Sequence, residues 1–141
     1  MKLNILILCT SLILSFNSWA DIYIVTQKNA PIEHISQQDL TAIYLKKKVY
    51  WDNSELILPI NLSAQSPLRE QLSQIIFKRS TRAMGSYWDK MSFKGISPPL
   101  IQASEQAALL FIQRIPNSIG YTSTKPDNSL LKVLLKLETP K

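Results

Sequence analysis

Three polar side chains at a single junction form the pattern in this sequence that is best suited to chemistry. Ser63 and Ser66 offer hydroxyl groups, and Arg69 follows one helical turn further along the chain. The first N–H groups of a helix have no partners within the helix and carry a partial positive charge, so a small anion can dock there. We therefore predict an anion-binding site at Ser63, Ser66 and Arg69, while a well-capped junction that binds nothing stays the alternative.

The residues around this junction predict a buried strand that leads into a helix. Residues 56–62 are a short apolar run, and the polar residues 63–66 interrupt it. Ser66 and Pro67 fit an N-cap and a first helical position, because proline has no N–H to lose there and its φ already suits a helix. Apolar side chains then recur at helical spacing and should face a core: Leu68, Leu72, Ile75 and Ile76.

The N-terminal segment has the features of a secretory signal peptide. A basic second residue precedes an apolar run at 5–14, and Ser-Trp-Ala at 18–20 forms a small-x-small cleavage signal. The apolar run is short for a membrane span, so we expect no stable membrane insertion after cleavage; an uncleaved anchor is the alternative. Cys9 is the only cysteine and leaves with the predicted signal. Residues 21–141 are thus predicted to be one periplasmic domain without disulfides, held together by its core.

Composition and missing motifs argue against several classes of function. Sixteen basic residues against ten acidic ones attract anions in general. Nucleic acid is not an expected partner, because the chain has an export signal and no basic-aromatic RNA-binding motif. His34 is the only histidine, so the sequence predicts neither a metal cluster nor a catalytic serine with its base. With three glycines in all, it also has no glycine-rich phosphate loop. We predict no enzyme, no metal and no cofactor.

Three more helices are predicted from caps and apolar spacing. Ser36 caps a helix whose apolar face includes Ile43. Ser80 or Thr81 caps the next, and its stripe of Met84, Tyr87, Trp88 and Met91 should belong to the core. A helix over residues 106–115 follows Ser104, and it is apolar almost all round, which predicts deep burial.

Strands are predicted on both sides of these helices. Residues 21–26 and 119–122 have the β-branched and aromatic content of strands. Residues 130–137 fit a strand or a helix, and we predict a strand because the sheet needs a partner there. Strands that alternate with helices indicate an α/β sandwich with an at least partly parallel sheet.

The order of these elements resembles the periplasmic phosphate-binding proteins of ABC transporters, in the type 2 periplasmic binding protein superfamily, and in particular their small one-lobe relatives. The resemblance covers nearly all of the predicted mature chain, from residue 22 to residue 121. Its carriers are residues 22–31, the helix at 40–45 followed by Trp51, the turn around Ser66, and the Pro-Asn-Ser-Ile-Gly-Tyr run at 116–121. The resemblance implies an α/β, single-lobe type 2 periplasmic-binding-protein-like sandwich with a mixed sheet flanked by helices.

The resemblance also implies a ligand, because full-length relatives hold phosphate at a serine-, glycine- and threonine-rich turn before a helix. Ser63 and Ser66 match the two serines of that turn. Leu62 stands at the arginine position, Gln65 and Pro67 replace the glycines, and Leu68 replaces the threonine. The phosphate-binding loop of the first lobe has no counterpart in a chain of this length.

Two functions therefore remain open. The first is a solute-binding or sensing module for a small anion such as phosphate. The second is a protein-interaction domain without a ligand, an accessory to an envelope transporter or sensor that binds an envelope protein or a second copy of itself.

Overall fold

The computed structural model describes residues 19–139. Most of the predicted signal peptide, residues 1–18, lies outside this range. The described chain forms, in order, β1 (Ile22–Gln27), α1 (Gln37–Tyr44), β2 (Leu58–Leu62), α2 (Pro67–Phe77), α3 (Gly85–Phe93), β3 (Leu100–Gln102), α4 (Glu105–Arg114), β4 (Ser118–Thr122) and β5 (Leu131–Leu137).

The strands form one mixed sheet in the order β3-β2-β4-β1-β5. β2 runs parallel to both of its neighbours, β3 and β4, whereas β1 runs antiparallel to β4 and β5. The carboxyl ends of β2 and β4 therefore lie at the same edge of the sheet. The carboxyl end of β1 lies at the opposite edge, beside the amino end of β4 and on the same edge as the amino end of β2.

Helices cover both faces of the sheet. A Cβ atom built on Gly120 of β4 would lie 2.7 Å from Cδ1 of Ile112, so α4 packs against this face. Tyr121 points to the opposite face, because side chains alternate along a strand. There its ring meets the ring of Tyr44 from α1 edge-on, with the centroids 6.0 Å apart, and α2 packs beside α1. The predicted α/β sandwich with a mixed sheet flanked by helices is confirmed.

Several local predictions are also confirmed. Ser36 caps α1, since its Oγ accepts from the N–H of Asp39 at 3.0 Å, and the apolar face of α1 is buried. Ser104 caps α4 in the same way through the N–H of Ala107. Residues 130–137 contain the strand β5, which pairs with β1, although their sequence fits neither the helical nor the strand period well.

The predictions for α3 were wrong in two respects. α3 begins at Gly85, after a turn in which the Ser80 hydroxyl accepts from the N–H of Ala83, and no side chain caps its start. Met84 is buried just before α3, but no residue within α3 is buried. The helix is held at the surface in part by the Tyr87 hydroxyl, which donates to the Leu45 carbonyl at 2.6 Å. Apolar spacing alone does not distinguish such a half-covered helix from a core helix.

Two further features were missed or overestimated. β3 follows two prolines and is three residues long, too short to show an alternating pattern, and it was not predicted. α4 was predicted to be deeply buried, yet only Ala108 and Ile112 are buried and Leu110 is 46% exposed. The reason is that α4 lies on one face of the sheet and the described chain places no further layer over it.

Candidate functional site

The turn that joins β2 to α2 brings the three predicted site residues together. The N–H of Ser66 donates to the carbonyl of Ser63 at 3.0 Å, which closes the turn. The Ser66 Oγ accepts from the N–H of Arg69 at 3.3 Å, so Ser66 is the N-cap of α2 and Pro67 is its first residue. The predicted cap is confirmed, whereas anion binding at these residues stays a prediction.

The start of α2 leaves few backbone donors open. Pro67 has no N–H, the N–H of Arg69 is used by the cap, and the N–H of Glu70 donates to the Ser66 carbonyl at 3.1 Å. Among the residues described, Leu68 has no acceptor for its N–H. An anion at this turn can therefore use the N–H of Leu68, the N–H groups of Ala64 and Gln65, which likewise have no acceptor within residues 19–139, and the hydroxyl hydrogens of Ser63 and Ser66.

Arg69 supplies the positive charge of the turn. One of its guanidinium nitrogens, Nη1, donates to the carbonyl of Leu62 at 2.9 Å, which holds the side chain back over the turn. The side chain is half-buried, and within residues 19–139 no carboxylate lies close enough to Arg69 for an ion pair. Desolvation disfavours a charge and lowers the pKa of the Arg69 guanidinium, while Tyr121 raises it. A half-buried cation without a protein counter-ion is an environment that favours an anion.

A hydrogen-bonded pair next to Arg69 was missed by the sequence reasoning. The Tyr121 hydroxyl donates to Oδ1 of Asn61 at 2.5 Å and accepts from the N–H of Leu62 at 3.2 Å. These contacts orient Asn61 so that its amide NH₂ group can still donate. An asparagine in an otherwise apolar strand was the available signal, because asparagine is depleted in strands.

The enclosed space behind the turn is too small for a phosphate. A cavity of about 20 Å³ is lined by Asn61, Arg69, Thr81 and several apolar side chains. That volume holds about one water molecule. A phosphate held at this turn would therefore lie on its outer side, where solvent reaches it.

A carboxylate occupies the neighbouring strand end. β4 ends beside β2, and the next residue, Ser123, donates through both its N–H and its hydroxyl to the carboxylate of Glu105 at the start of α4. Glu105 and Arg69 act on Tyr121 with opposite electrostatic signs. At this edge of the sheet, the start of α2 thus carries the positive charge of Arg69, and the start of α4 carries the negative charge of Glu105.

Residues 19–139 contain neither a group of metal-ligating side chains nor a membrane-spanning helix. No three His, Cys, Asp or Glu side chains of residues 19–139 are grouped so that they could hold a metal ion. In the same range, no helix is long and apolar enough to cross a bilayer.

The fold is similar to that of several solved structures. An ABC-type phosphate transport receptor from Vibrio cholerae matches with a TM-score of 0.64 and 15% identity, over 82% of this chain and 46% of the receptor. A putative phosphate ABC transporter substrate-binding protein from Clostridium perfringens, solved with bound phosphate, matches with a TM-score of 0.67 and 17% identity, over 82% of this chain and 45% of that protein. PstS from Borrelia burgdorferi matches with a TM-score of 0.53 and 19% identity, over 73% of this chain and 41% of PstS.

These likenesses confirm, at the level of fold, the resemblance that the sequence indicated. The chain spans less than half the length of each of these structures. No protein-family model matches the sequence, and a search of curated proteins finds no match either.

Loss of the Ser66 hydroxyl should destabilise the protein independently of any ligand. Ser66→Ala leaves the Arg69 N–H without its acceptor, and we expect a loss of about 1 kcal/mol in the free energy of unfolding. Urea unfolding measures the change. Ser66→Thr, which keeps a capping oxygen, and Ser63→Ala, which removes a hydroxyl that caps nothing, should both stay near the wild type. An unchanged midpoint for Ser66→Ala would disprove the cap.

Stability should fall in alkaline solution because two buried tyrosines resist ionisation. Burial raises the pKa of Tyr44 and of Tyr121 well above the ordinary value. A group whose pKa is raised by folding stabilises the folded state fully below its unfolded pKa, about 10 for tyrosine, and this contribution is lost as the pH rises further.

Urea midpoints measured at several pH values above about 10 test this expectation, since tyrosine titrates there in the unfolded chain. Tyr121→Phe should show a shallower decline than the wild type. Replacing the exposed Tyr50 with phenylalanine serves as the control and should leave the slope unchanged. Equal slopes for Tyr121→Phe and the wild type would contradict the role assigned to burial.

Proposed function

We propose that this protein is an exported module that binds a small anion, with phosphate as the leading candidate, at the turn between β2 and α2. The observation that carries the proposal is the environment of Arg69, half-buried and without a carboxylate partner in the described range. The hydroxyls of Ser63 and Ser66 and the open N–H of Leu68 converge on the same turn. Phosphate is supported by two solved structures of similar fold, the phosphate transport receptor from Vibrio cholerae and the substrate-binding protein with bound phosphate from Clostridium perfringens.

The same contacts limit the affinity. A phosphate needs most of its oxygens satisfied, because removing a charge from water without hydrogen bonds is costly. The described residues offer donors from one side of the anion, and its other side faces water. We therefore propose weak binding by the isolated chain, and tighter binding only when a partner protein or a second copy supplies further donors.

A thermal-shift screen tests the binding of anions as a class. Ligand at ten times its dissociation constant stabilises the folded state by about 1.4 kcal/mol, which raises the melting temperature by a few degrees. Phosphate should raise the melting temperature above that in chloride of equal ionic strength. Equal temperatures in phosphate and chloride would sink the proposal.

The second candidate function is protein interaction, and exposed apolar side chains favour it. Phe93 at the end of α3 is 94% exposed, and Leu100 and Ile101 on the edge strand β3 are each 53% exposed. An exposed apolar edge strand such as β3 offers unpaired backbone groups with which another chain can pair. If no anion in the screen raises the melting temperature, protein interaction becomes the better supported function.

Export is a separate part of the proposal. We expect the cell to remove residues 1–20, because the N-terminal segment has the basic, apolar and small-x-small regions of a signal peptide. The intact mass of protein recovered from the periplasm measures this. A mass that still includes Met1, in protein found with the membranes, would contradict it.

A further inference from the structure

The carboxyl end of α3 presents a large apolar side chain to solvent. Phe93 is the last residue of α3, and it is 94% exposed. Positions three and four residues apart share one face of a helix, so Lys90, Phe93 and Lys94 lie on the same face. All three are exposed. We call these three residues the exposed stripe of α3.

The exposure of Phe93 is fixed by the way in which α3 ends. The N–H of Gly95 donates to the Ser92 carbonyl at 3.0 Å. The N–H of Ile96 donates to the Met91 carbonyl, also at 3.0 Å. Together with the φ of +76° at Gly95, these bonds form a Schellman motif, which turns the chain back at the helix end. Phe93 is therefore held at the surface by backbone hydrogen bonds, and a partner reaches it without any movement of the chain.

The surface around the stripe carries an excess of positive charge. Residues 78–104 contain five basic residues and one acidic residue, Asp89. Within residues 19–139, none of Lys90, Lys94 and Asp89 forms an ion pair. Asp89 lies beside Phe93 in the lining of a surface groove, where it offsets one positive charge. The stripe is thus a basic surface with an apolar centre.

This combination favours an anionic lipid surface over a protein partner. Lysine is depleted in protein interfaces, whereas at a membrane its ammonium group reaches the headgroups while its carbon chain covers apolar surface. A specific protein interface also buries roughly 800 Å² on each partner, and the stripe offers a single large apolar side chain. A second copy of the chain would bring like charges together. A lipid surface needs no matched shape and admits one exposed aromatic side chain between basic ones.

We propose that the carboxyl end of α3 docks the protein on membranes that contain anionic lipid. Phe93 enters the headgroup region, and the ammonium groups of Lys90 and Lys94 contact anionic headgroups. The attachment is weak and reversible, because one aromatic side chain and two lysines carry it, and it weakens with salt because salt screens exposed charges. No residue of the stripe belongs to the turn at 63–69, so docking is independent of the binding of a small anion there.

Co-sedimentation with vesicles tests the proposal. The protein used lacks residues 1–20, because the apolar run of the predicted signal peptide would itself bind lipid. It keeps every helix and strand of the described range. The vesicles contain phosphatidylcholine, either alone or mixed with an equal part of phosphatidylglycerol. We expect binding to the mixed vesicles at low salt, and at least tenfold weaker binding to the neutral vesicles or at high salt.

Three variants test the roles of the side chains, and all should fold because the residues concerned are exposed. Phe93→Ala should weaken binding to the mixed vesicles about tenfold, since it removes the side chain that enters the headgroup region. The double variant Lys90→Ala/Lys94→Ala should weaken it more than tenfold, because each lysine near an anionic surface contributes about fivefold. Asp89→Asn removes the opposing carboxylate and should strengthen binding.

Matched controls come from the exposed loop between β4 and β5. Leu130 is 59% exposed and Lys125 is exposed as well, so Leu130→Ala and Lys125→Ala remove the same kinds of group from another part of the surface. Both should bind the mixed vesicles like the unchanged protein. Equal binding by Phe93→Ala and Leu130→Ala, or full binding by the double lysine variant, would overturn the proposal. Absence of binding to the mixed vesicles would also overturn it and would leave the stripe to a protein partner.

Discussion

Replacing Arg69 with alanine should weaken phosphate binding at least tenfold. A hydrogen bond to a charged group contributes about 1.5–3 kcal/mol, and roughly 1.4 kcal/mol corresponds to a factor of ten. Arg69 is the cation of the turn, and the other donors there are uncharged hydroxyl and backbone N–H groups. Calorimetric titration of phosphate into the wild type and Arg69→Ala measures the difference at constant salt.

Two variants separate the role of the guanidinium from the loss of a charge. Arg114→Ala removes an exposed positive charge at the end of α4, which precedes β4 and so lies at the opposite edge of the sheet. It should bind phosphate like the wild type. Arg69→Lys keeps the charge without the planar group that also reaches the Leu62 carbonyl, and it should bind with intermediate affinity. Equal losses in Arg69→Ala and Arg114→Ala would mean that only net charge matters.

The second large effect concerns the contact between α4 and the sheet. Gly120→Ala should lower the free energy of unfolding by about 1–3 kcal/mol, the usual range for an overpacked core. The added methyl group would lie 2.7 Å from Cδ1 of Ile112, a side chain that is fully buried, and 3.6 Å from Cβ of Ile60. Since Gly120 precedes Tyr121, a shift of β4 should also disturb the Tyr121–Asn61 hydrogen bond beside the site.

Gly85→Ala is the matched control for this change. The same methyl group meets nothing within 4 Å at Gly85, which is the first residue of α3. Alanine is the better helix former and restricts the unfolded chain, so Gly85→Ala should be neutral or slightly stabilising. Urea unfolding of both variants tests the comparison. A Gly120→Ala protein as stable as Gly85→Ala would show that Ile112 moves aside freely.

The junction at the site could be predicted because its determinants are local. A serine, a proline and an apolar spacing lie within a dozen residues, and each acts through its own backbone or the next helical turn. The same holds for the caps at Ser36 and Ser104. The position of Ser63, Ser66 and Arg69 in one turn followed directly from these short-range preferences.

The hydrogen bonds around the site depend on distant parts of the chain and could not be predicted in this way. Tyr121 reaches Asn61 only because β4 pairs with β2, and this pairing joins residues about 60 positions apart, as in Pro59 with Ile119. Whether an apolar helix is buried also depends on what covers it. The exposed side of α4 and the half-covered α3 have the same spacing as core helices, and only the assembled sheet distinguishes them.

The affinity of the isolated chain for phosphate is the most direct test of the proposed site. Phosphate is titrated calorimetrically into protein whose monomeric state is established by sedimentation under the same conditions. We predict a dissociation constant on the order of 1 mM, or about −4 kcal/mol, because the turn satisfies the anion from one side. Absence of binding well above that concentration, or micromolar binding by a proven monomer, would contradict the account, and micromolar binding that survives Arg69→Ala would place the site elsewhere.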